Sequence, residues 1–421
     1  MSIIHLKSFV EGADASGFSL ENLPYGVFTH PQLSKAHIGV RIGDYVLDLT
    51  KLEEHGLLSF NQKKPWFART SLNYFAKQGR LAAKKVRSRI QTLLDTHNTE
   101  LQNNKILLRE ILVPVAEITL QKPFRIGGFT DFYACEQHAV NVGCLFRSRE
   151  NALMPNWKRL PVAYNGRAST VYLSGHPVPR PNGQILLPDQ EAPIYTACRK
   201  LDFELEMGWF IGQGNQTGTP ISVTEASKHL FGLVLLNDWS ARDIQAFEYQ
   251  PLGPFLSKSF ATSISPWVVT VDALEPFMKN IADPEVPVVS YLQQPHRQQP
   301  NVRLKVEIQS KNSDSRTTIC ETSYTELYWT IEQMLAHHTV NHCILQTGDL
   351  LGTGTISGPE RQNFGSLLEI TENGKTPLIL NNGQERRFLE DGDKVFFTAY
   401  CENEHHRIHF GEVWGEIYST K

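Results

Sequence analysis

Apolar and polar side chains alternate strictly along Leu201-Asp202-Phe203-Glu204-Leu205-Glu206-Met207, the period of a β-strand, whose successive side chains point to opposite faces. The pattern predicts a strand that buries Leu201, Phe203, Leu205 and Met207 and aligns Asp202, Glu204 and Glu206 on the other face. Further on, Phe231-Gly232-Leu233-Val234-Leu235-Leu236 is continuously apolar and reads as a second buried strand, ending at Asn237-Asp238-Trp239. Near the start, residues 38–42 and 45–49 flank Gly43-Asp44, the signature of a hairpin. From about Ser71 to Leu112 the period lengthens. Leu72, Phe75, Leu81, Val86, Ile90, Leu93 and Leu94 recur every three to five residues among Lys, Arg and Gln, which predicts helix. Beyond that stretch, short apolar runs broken by Gly, Pro and Asn, as in Pro177-Val178-Pro179-Arg180-Pro181-Asn182-Gly183, predict a mainly β domain with functional loops.

Length changes this picture into two domains, because 421 residues exceed what one hydrophobic core usually serves. We place the boundary near 113–125, giving residues 1–120 as an N-terminal unit with a helical linker and 121–421 as a second domain. Charge adds exclusions: 41 basic against 44 acidic residues leaves −3, with no basic footprint for nucleic acid or an anionic membrane. Six scattered cysteines form no Cys-x-x-Cys pair, so free thiols in a reducing compartment are expected. Residues 1–7 lack the apolar core of a leader, and no apolar run is long enough to span a bilayer. These bounds favour a cytoplasmic enzyme.

The acidic stripe is the first candidate chemistry. Carboxylates on one strand face repel each other unless a cation neutralises them, and a hard divalent ion with oxygen ligands does so economically; Asp238 could join Glu204 and Glu206 there. The plainer alternative is a strand with one wet side. The segment 130–143 has a cap-like start and a glycine stop, so a helix is expected in which Asp131 and His138, seven residues apart, share a face. Ser240-Ala241-Arg242-Asp243-Ile244-Gln245-Ala246-Phe247-Glu248-Tyr249 reads as a helix capped near Ser240, presenting Arg242, Gln245 and Tyr249 as donors on one side, suited to an anion or an oxyanion. Lys258 lacks the preceding glycine of a phosphate loop, and Gly352-Thr353-Gly354-Thr355-Ile356-Ser357-Gly358 is a tight turn, its hydroxyls available to substrate, and not a dinucleotide fingerprint. No Gly-x-Ser-x-Gly elbow supports a serine hydrolase.

In order along the chain, Thr130-Asp131-Phe132-Tyr133, Gln137-His138, Phe203-Glu204-Leu205-Glu206, Asn237-Asp238-Trp239-Ser240-Ala241-Arg242-Asp243-Ile244-Gln245, Pro251-Leu252-Gly253-Pro254-Phe255 and Gly354-Thr355-Ile356-Ser357-Gly358 closely resemble the fumarylacetoacetate hydrolase family. Asn22-Leu23-Pro24-Tyr25-Gly26-Val27-Phe28 and Gly166-Arg167-Ala168-Ser169 extend the likeness over nearly the whole chain; residues before about Asn22 carry no matching motif. The resemblance implies a mainly β (α+β) fold, with an N-terminal SH3-like barrel followed by a C-terminal mixed β-roll, in a homodimer. It implies hydrolysis of the carbon-carbon bond of the small-molecule diketo acid 4-fumarylacetoacetate to fumarate and acetoacetate, the last step of tyrosine and phenylalanine breakdown.

Carried over by position, Asp131, Glu204, Glu206 and Asp238 resemble the ligands of an active-site calcium. A structural magnesium is expected near Asp238, Lys258 and Thr262, the latter two through backbone oxygens. His138 resembles the general base and Glu369 its orienting partner; Arg242, Gln245 and Lys258 resemble the groups that hold the oxyanion. Tyr133, Arg147, Tyr164, Gln245, Tyr249 and Thr355 match substrate-contacting positions. Two positions depart from the family pattern: Asn165 where a histidine is usual and Gly128 where an aspartate is common. An acylpyruvate hydrolase or a β-keto acid decarboxylase on the same fold is the nearest alternative, and a silent metal-binding scaffold the more distant one.

Overall fold

A computed structural model describes residues 6–419, so the leader reading of residues 1–7 falls largely outside the described residues. The predicted hairpin forms: His37–Ile42 pairs antiparallel with Tyr45–Asp48, and Gly43 turns at φ 56°, a backbone conformation that glycine adopts without a Cβ penalty. These strands sit in a five-stranded antiparallel sheet with Leu112–Pro114, Tyr25–Thr29 and Thr119–Gln121, the sheet of the N-terminal barrel. The helical stretch is divided into Asn73–Ala76, Arg80–Leu94, Thr99–Gln102 and Lys105–Ile111. The interruptions fall where Gly79 and the capping residues Asn98 and Asn104 offer the chain non-helical alternatives.

The second part is built on an eight-stranded mixed sheet. Its order runs Ala163–Asn165, Phe129–Phe132, Leu350–Gly352, Leu205–Ile211, Leu230–Asp238, Thr262–Ile264, Val171–Leu173, with Val269–Thr270 pairing beside Leu230–Asp238. A five-stranded sheet containing Val302–Gln309, Lys394–Glu402 and Arg407–Tyr418 completes the β-roll. Every residue of Leu205–Ile211 and Leu230–Asp238 is buried. That rules out the one-wet-side explanation of the acids, because both faces of these strands are covered. One face of the sheet packs on the N-terminal unit: Phe210, Phe231, Val234 and Leu236 share a core cluster with Val27, Phe75 and Ile90. The opposite face, with Leu205, Met207, Trp209 and Leu235, belongs to the core of the roll.

Three local expectations are corrected. Residues 130–143 are not one helix: Phe129–Phe132 is a strand and the helix spans Glu136–Phe146, because the strand is drawn into the sheet between two neighbours. The helix also runs through Gly143, whose missing Cβ admits the Ala152 carbonyl oxygen, which a Cβ would meet at 2.1 Å. Residues 201–207 are not one strand: Leu201–Asp202 pairs with Ser240–Ala241, and Leu205–Ile211 begins separately in the main sheet. The helix expected from Ser240 starts at Arg242 after that short strand, with no side-chain cap.

Candidate active site

Four acids on or beside three strands of the main sheet meet at one of its ends. Asp131 is paired in register with Gly352, and Glu206 with Leu236, two residues before Asp238; Glu204 lies just before its strand. Ligand oxygens of Asp131, Glu204, Glu206 and Asp238 all lie within 4.8 Å of one another, and all four residues are buried. Two ionised carboxylates at that separation repel by about 3–4 kcal/mol at an effective dielectric near 20, so the group demands positive charge.

The chain supplies part of it. Lys258 Nζ donates to Asp238 Oδ2 at 2.8 Å and also to Glu204, and Arg242 Nη1 donates to Glu204 Oε1 at 2.7 Å. Asp238 is further bound by the Tyr164 hydroxyl at 2.6 Å and the Thr262 hydroxyl at 2.9 Å. Burial alone would raise the Glu204 carboxyl, but Lys258 and Arg242 hold it below its ordinary range. Asp131 and Glu206 have no such cationic hydrogen-bond partner among the described residues. Burial pushes both well above the usual carboxylate values, and the neighbouring acids add to it.

They share the Gly354 amide as a donor, 3.1 Å from Asp131 Oδ1 and 3.2 Å from Glu206 Oε2, and Glu206 Oε1 is buried with no hydrogen-bond partner among the described residues. Glycine is required on both sides of Thr353. A Cβ at Gly352 would meet Asp131 Oδ1 at 2.3 Å, while Gly354 adopts φ 75°. An orphaned carboxylate oxygen, an all-oxygen donor set and a cradle that a single Cβ would fill fit a hard divalent cation.

Beside the acids, His138 Nδ1 lies 2.8 Å from Glu369 Oε2, both groups buried. The sequence spacing between them is 231 residues. Glu369 is held by three further donors that the sequence reading did not assign to it: Asn141 Nδ2 at 2.8 Å, Ser357 Oγ at 3.0 Å and Ser366 Oγ at 2.8 Å. Asn141 carried a usable signal, lying one helical turn beyond His138 on the same face. Burial opposes the Glu369 charge, but His138 and these donors outweigh it and hold the carboxyl below its usual range. The Tyr133 ring meets the His138 ring edge-on at 5.3 Å, and burial raises the Tyr133 phenol.

The remaining candidates divide. Gln245 approaches Arg242, with 3.4 Å between Oε1 and Nη1; Arg242 Nη2 and Thr355 Oγ1 are buried with no partner among the described residues. Arg147 and Tyr249 are exposed and engage their own segments: Arg147 donates to the Asn151 and Ala152 carbonyls, and the Tyr249 hydroxyl accepts from Gln250. The Lys258 ammonium and the Thr262 hydroxyl both donate to Asp238. Asp202 leaves the acid group altogether and binds Arg242 and the Leu367 and Leu368 amides. Gly128 and Asn165, the departures from the family pattern, line a separate cavity of about 580 Å³.

Comparison with known proteins matches residues 128–412 to the fumarylacetoacetate (FAA) hydrolase C-terminal family model and residues 21–123 to the fumarylacetoacetase N-terminal model. The chain belongs to the fumarylacetoacetate hydrolase family. Among its fumarylacetoacetase relatives, that of Homo sapiens is 46% identical over 413 residues, covering 97% of this chain and 98% of the relative. That of Arabidopsis thaliana is 46% identical over 414 residues, covering 98% of both. Among solved structures, a fumarylacetoacetate hydrolase from psychrophilic Exiguobacterium antarcticum superposes with TM-score 0.52 at 15% identity, over 94% of this chain and all of that one. A maleylpyruvate hydrolase from Sphingobium sp. SYK-6 gives 0.50 at 16%, with the same coverage. The solved structures share the fold of this fumarylacetoacetate hydrolase family member, and the mainly β architecture with its N-terminal domain follows the family pattern.

Proposed function

We propose that this chain hydrolyses the carbon-carbon bond of 4-fumarylacetoacetate, giving fumarate and acetoacetate. The observation that carries this reading is the buried His138–Glu369 pair standing beside a buried all-oxygen acid group. Glu369 on Nδ1 fixes the tautomer of His138, leaving Nε2 to accept a proton from water. The water oxygen adds to the carbonyl carbon next to the scissile bond. Arg242, whose Nη2 is buried and unpartnered, is aimed to take the resulting oxyanion with Gln245 and Lys258. The carbon-carbon bond then breaks, its electron pair passes to the departing keto-acid fragment as an enolate, and a proton returned by His138 yields acetoacetate. A divalent cation bound by Asp131, Glu204, Glu206 and Asp238 supplies Lewis acidity toward the oxygens of that fragment.

Calcium at the four acids and magnesium beside Asp238, Lys258 and Thr262 are the ions we propose. Tyr133, Tyr164 and Thr355 are proposed to touch substrate from the buried side, with Arg147 and Tyr249 reaching it from exposed segments. We also propose a cytoplasmic homodimer; the exposed apolar run Phe247, Leu252, Phe255 and Leu256 offers surface to a second copy. No described helix is long and apolar enough to cross a membrane.

The test is loss of the diketone ultraviolet absorbance of 4-fumarylacetoacetate on adding protein, with and without a chelator. Appearance of fumarate and acetoacetate, abolished by chelation and restored by calcium, is the expected result. Metal-replete, folded protein that leaves the absorbance unchanged would transfer the assignment to a shorter acylpyruvate. Light scattering checks the dimer.

A further inference from the structure

We infer that Asp202 is a positioning residue that ties the oxyanion-binding Arg242 to the helix carrying Glu369, and so sets the placement of donor and base relative to each other. The inference rests on the hydrolytic reading above. Asp202 is fully buried, and its carboxylate receives four hydrogen bonds. Oδ1 accepts from the Phe203 amide at 2.9 Å and the Leu367 amide at 2.7 Å; Oδ2 accepts from the Leu368 amide at 2.9 Å and Arg242 Nε at 2.9 Å.

On the arginine side, Asp202 holds Nε and Glu204 holds Nη1. A guanidinium is planar and rigid, so anchoring two of its nitrogens fixes the direction of the third. That third nitrogen, Nη2, is the unpartnered one. On the base side, Leu367–Ile370 is a single helical turn whose first amides have no partner within the helix. Asp202 takes those of Leu367 and Leu368, and Ser366 caps the turn while donating to Glu369. One carboxylate therefore bears on both groups that must be aligned around the reacting carbon. Asparagine in its place offers one acceptor oxygen and one donor amide, so in either orientation donors face a donor: Arg242 and Leu368, or Phe203 and Leu367. Either way one side of the tie slackens, and a misplacement of about 1 Å costs on the order of 10²-fold in rate.

The experiment compares wild type with D202N, R242Q, E369Q and the double variants D202N/R242Q and D202N/E369Q, recording kcat, KM, metal content and thermal stability. D202N is expected to lower kcat by about 10²-fold while KM and metal content stay within about 3-fold of wild type. Each double variant is expected to be no more than about 3-fold slower than its slower single, because Asp202 acts through the same partners. An unchanged kcat in D202N, or losses that multiply in both doubles, overturns the inference and leaves Asp202 a structural residue. Should D202N not fold, D202E replaces it: a kcat at least about 10-fold down with metal content retained supports the inference, and a kcat within about 2-fold overturns it.

Nitrogen-proton NMR of the arginine side chains gives a reading independent of turnover. The Arg242 Nε–H signal, assigned by its loss in R242Q, is expected to be protected from exchange in wild type and exposed or shifted in the Asp202 variant. An unmoved signal overturns the inference even if fumarylacetoacetate is not the substrate, and a wild type without turnover but with the expected signals sinks the hydrolytic reading alone.

Discussion

Glu369 and Glu206 are both buried acids of this site, and they are completed to different degrees. Four side-chain donors converge on Glu369, from His138, Asn141, Ser357 and Ser366. Glu206 shares one backbone amide with Asp131 and keeps an oxygen with no hydrogen-bond partner among the described residues. The electrostatics follow the count of partners: Glu369 is held below its usual range, whereas Asp131 and Glu206 are pushed above theirs. Burying a charge is costly unless it is paired and hydrogen-bonded. The protein alone therefore completes the His138–Glu369 pair, while the acid group still lacks the positive charge that a bound cation would supply.

The strongest way to break this contrast is at its finished end. His138→Ala should lower kcat by about 10²–10⁴-fold, the range of a positioned acid-base group, with metal content unchanged; lost metal would show that the two ends are one unit. Glu369→Gln should cost about 10²-fold in kcat with substrate affinity largely kept. At the unfinished end, Glu206→Gln should weaken divalent-ion affinity by at least about 10–100-fold, measured by titration calorimetry, and activity should fall with it.

The contrast sharpens with pH. Asp131 and Glu206 hold protons in the folded state at pH values where the unfolded chain has released them, so the chelated protein should lose stability as pH rises above the ordinary carboxylate range, near 4. Glu369 has the opposite sign: its contribution is present above that range and is lost as pH falls through its depressed value. Melting temperature against pH should therefore slope downward on the alkaline side without cation and flatten when calcium is added, because the bound ion keeps both acids ionised. A slope unaffected by calcium would remove Asp131 and Glu206 from the ligand set. The smallest effect is expected of Ser366→Ala, about 1 kcal/mol of stability for the lost cap and a few-fold in kcat, measured by denaturant titration and steady-state rates.

The hairpin, the buried strand ending at Asp238 and the helical stretch were legible because each is a local periodicity. The acids were legible as residue types with a shared need for a cation. The segment 130–143 differs because a cap-like residue and a glycine mimic helix ends, while pairing with Leu350–Gly352 and Ala163–Asn165 makes its first three residues part of a strand. Asp202 was misplaced for a related reason. Alternation fixes faces only within one continuous strand, and here the chain changes sheets between Asp202 and Leu205.

The sequence by itself determined that this protein carries acids able to hold a divalent ion, a histidine able to move a proton, and an ordered set of motifs shared with one hydrolase family. The family resemblance named the acids that meet, and only the tertiary structure brings them together. Strand register carries Asp131, Glu206 and Asp238 to one sheet end, a break between strands turns Asp202 toward Arg242, and the fold brings Glu369 across 231 residues to His138. The reason is physical: side-chain spacing sets which face a residue occupies, but the partner it finds there is set by pairing between distant segments and by which buried donors still need an acceptor.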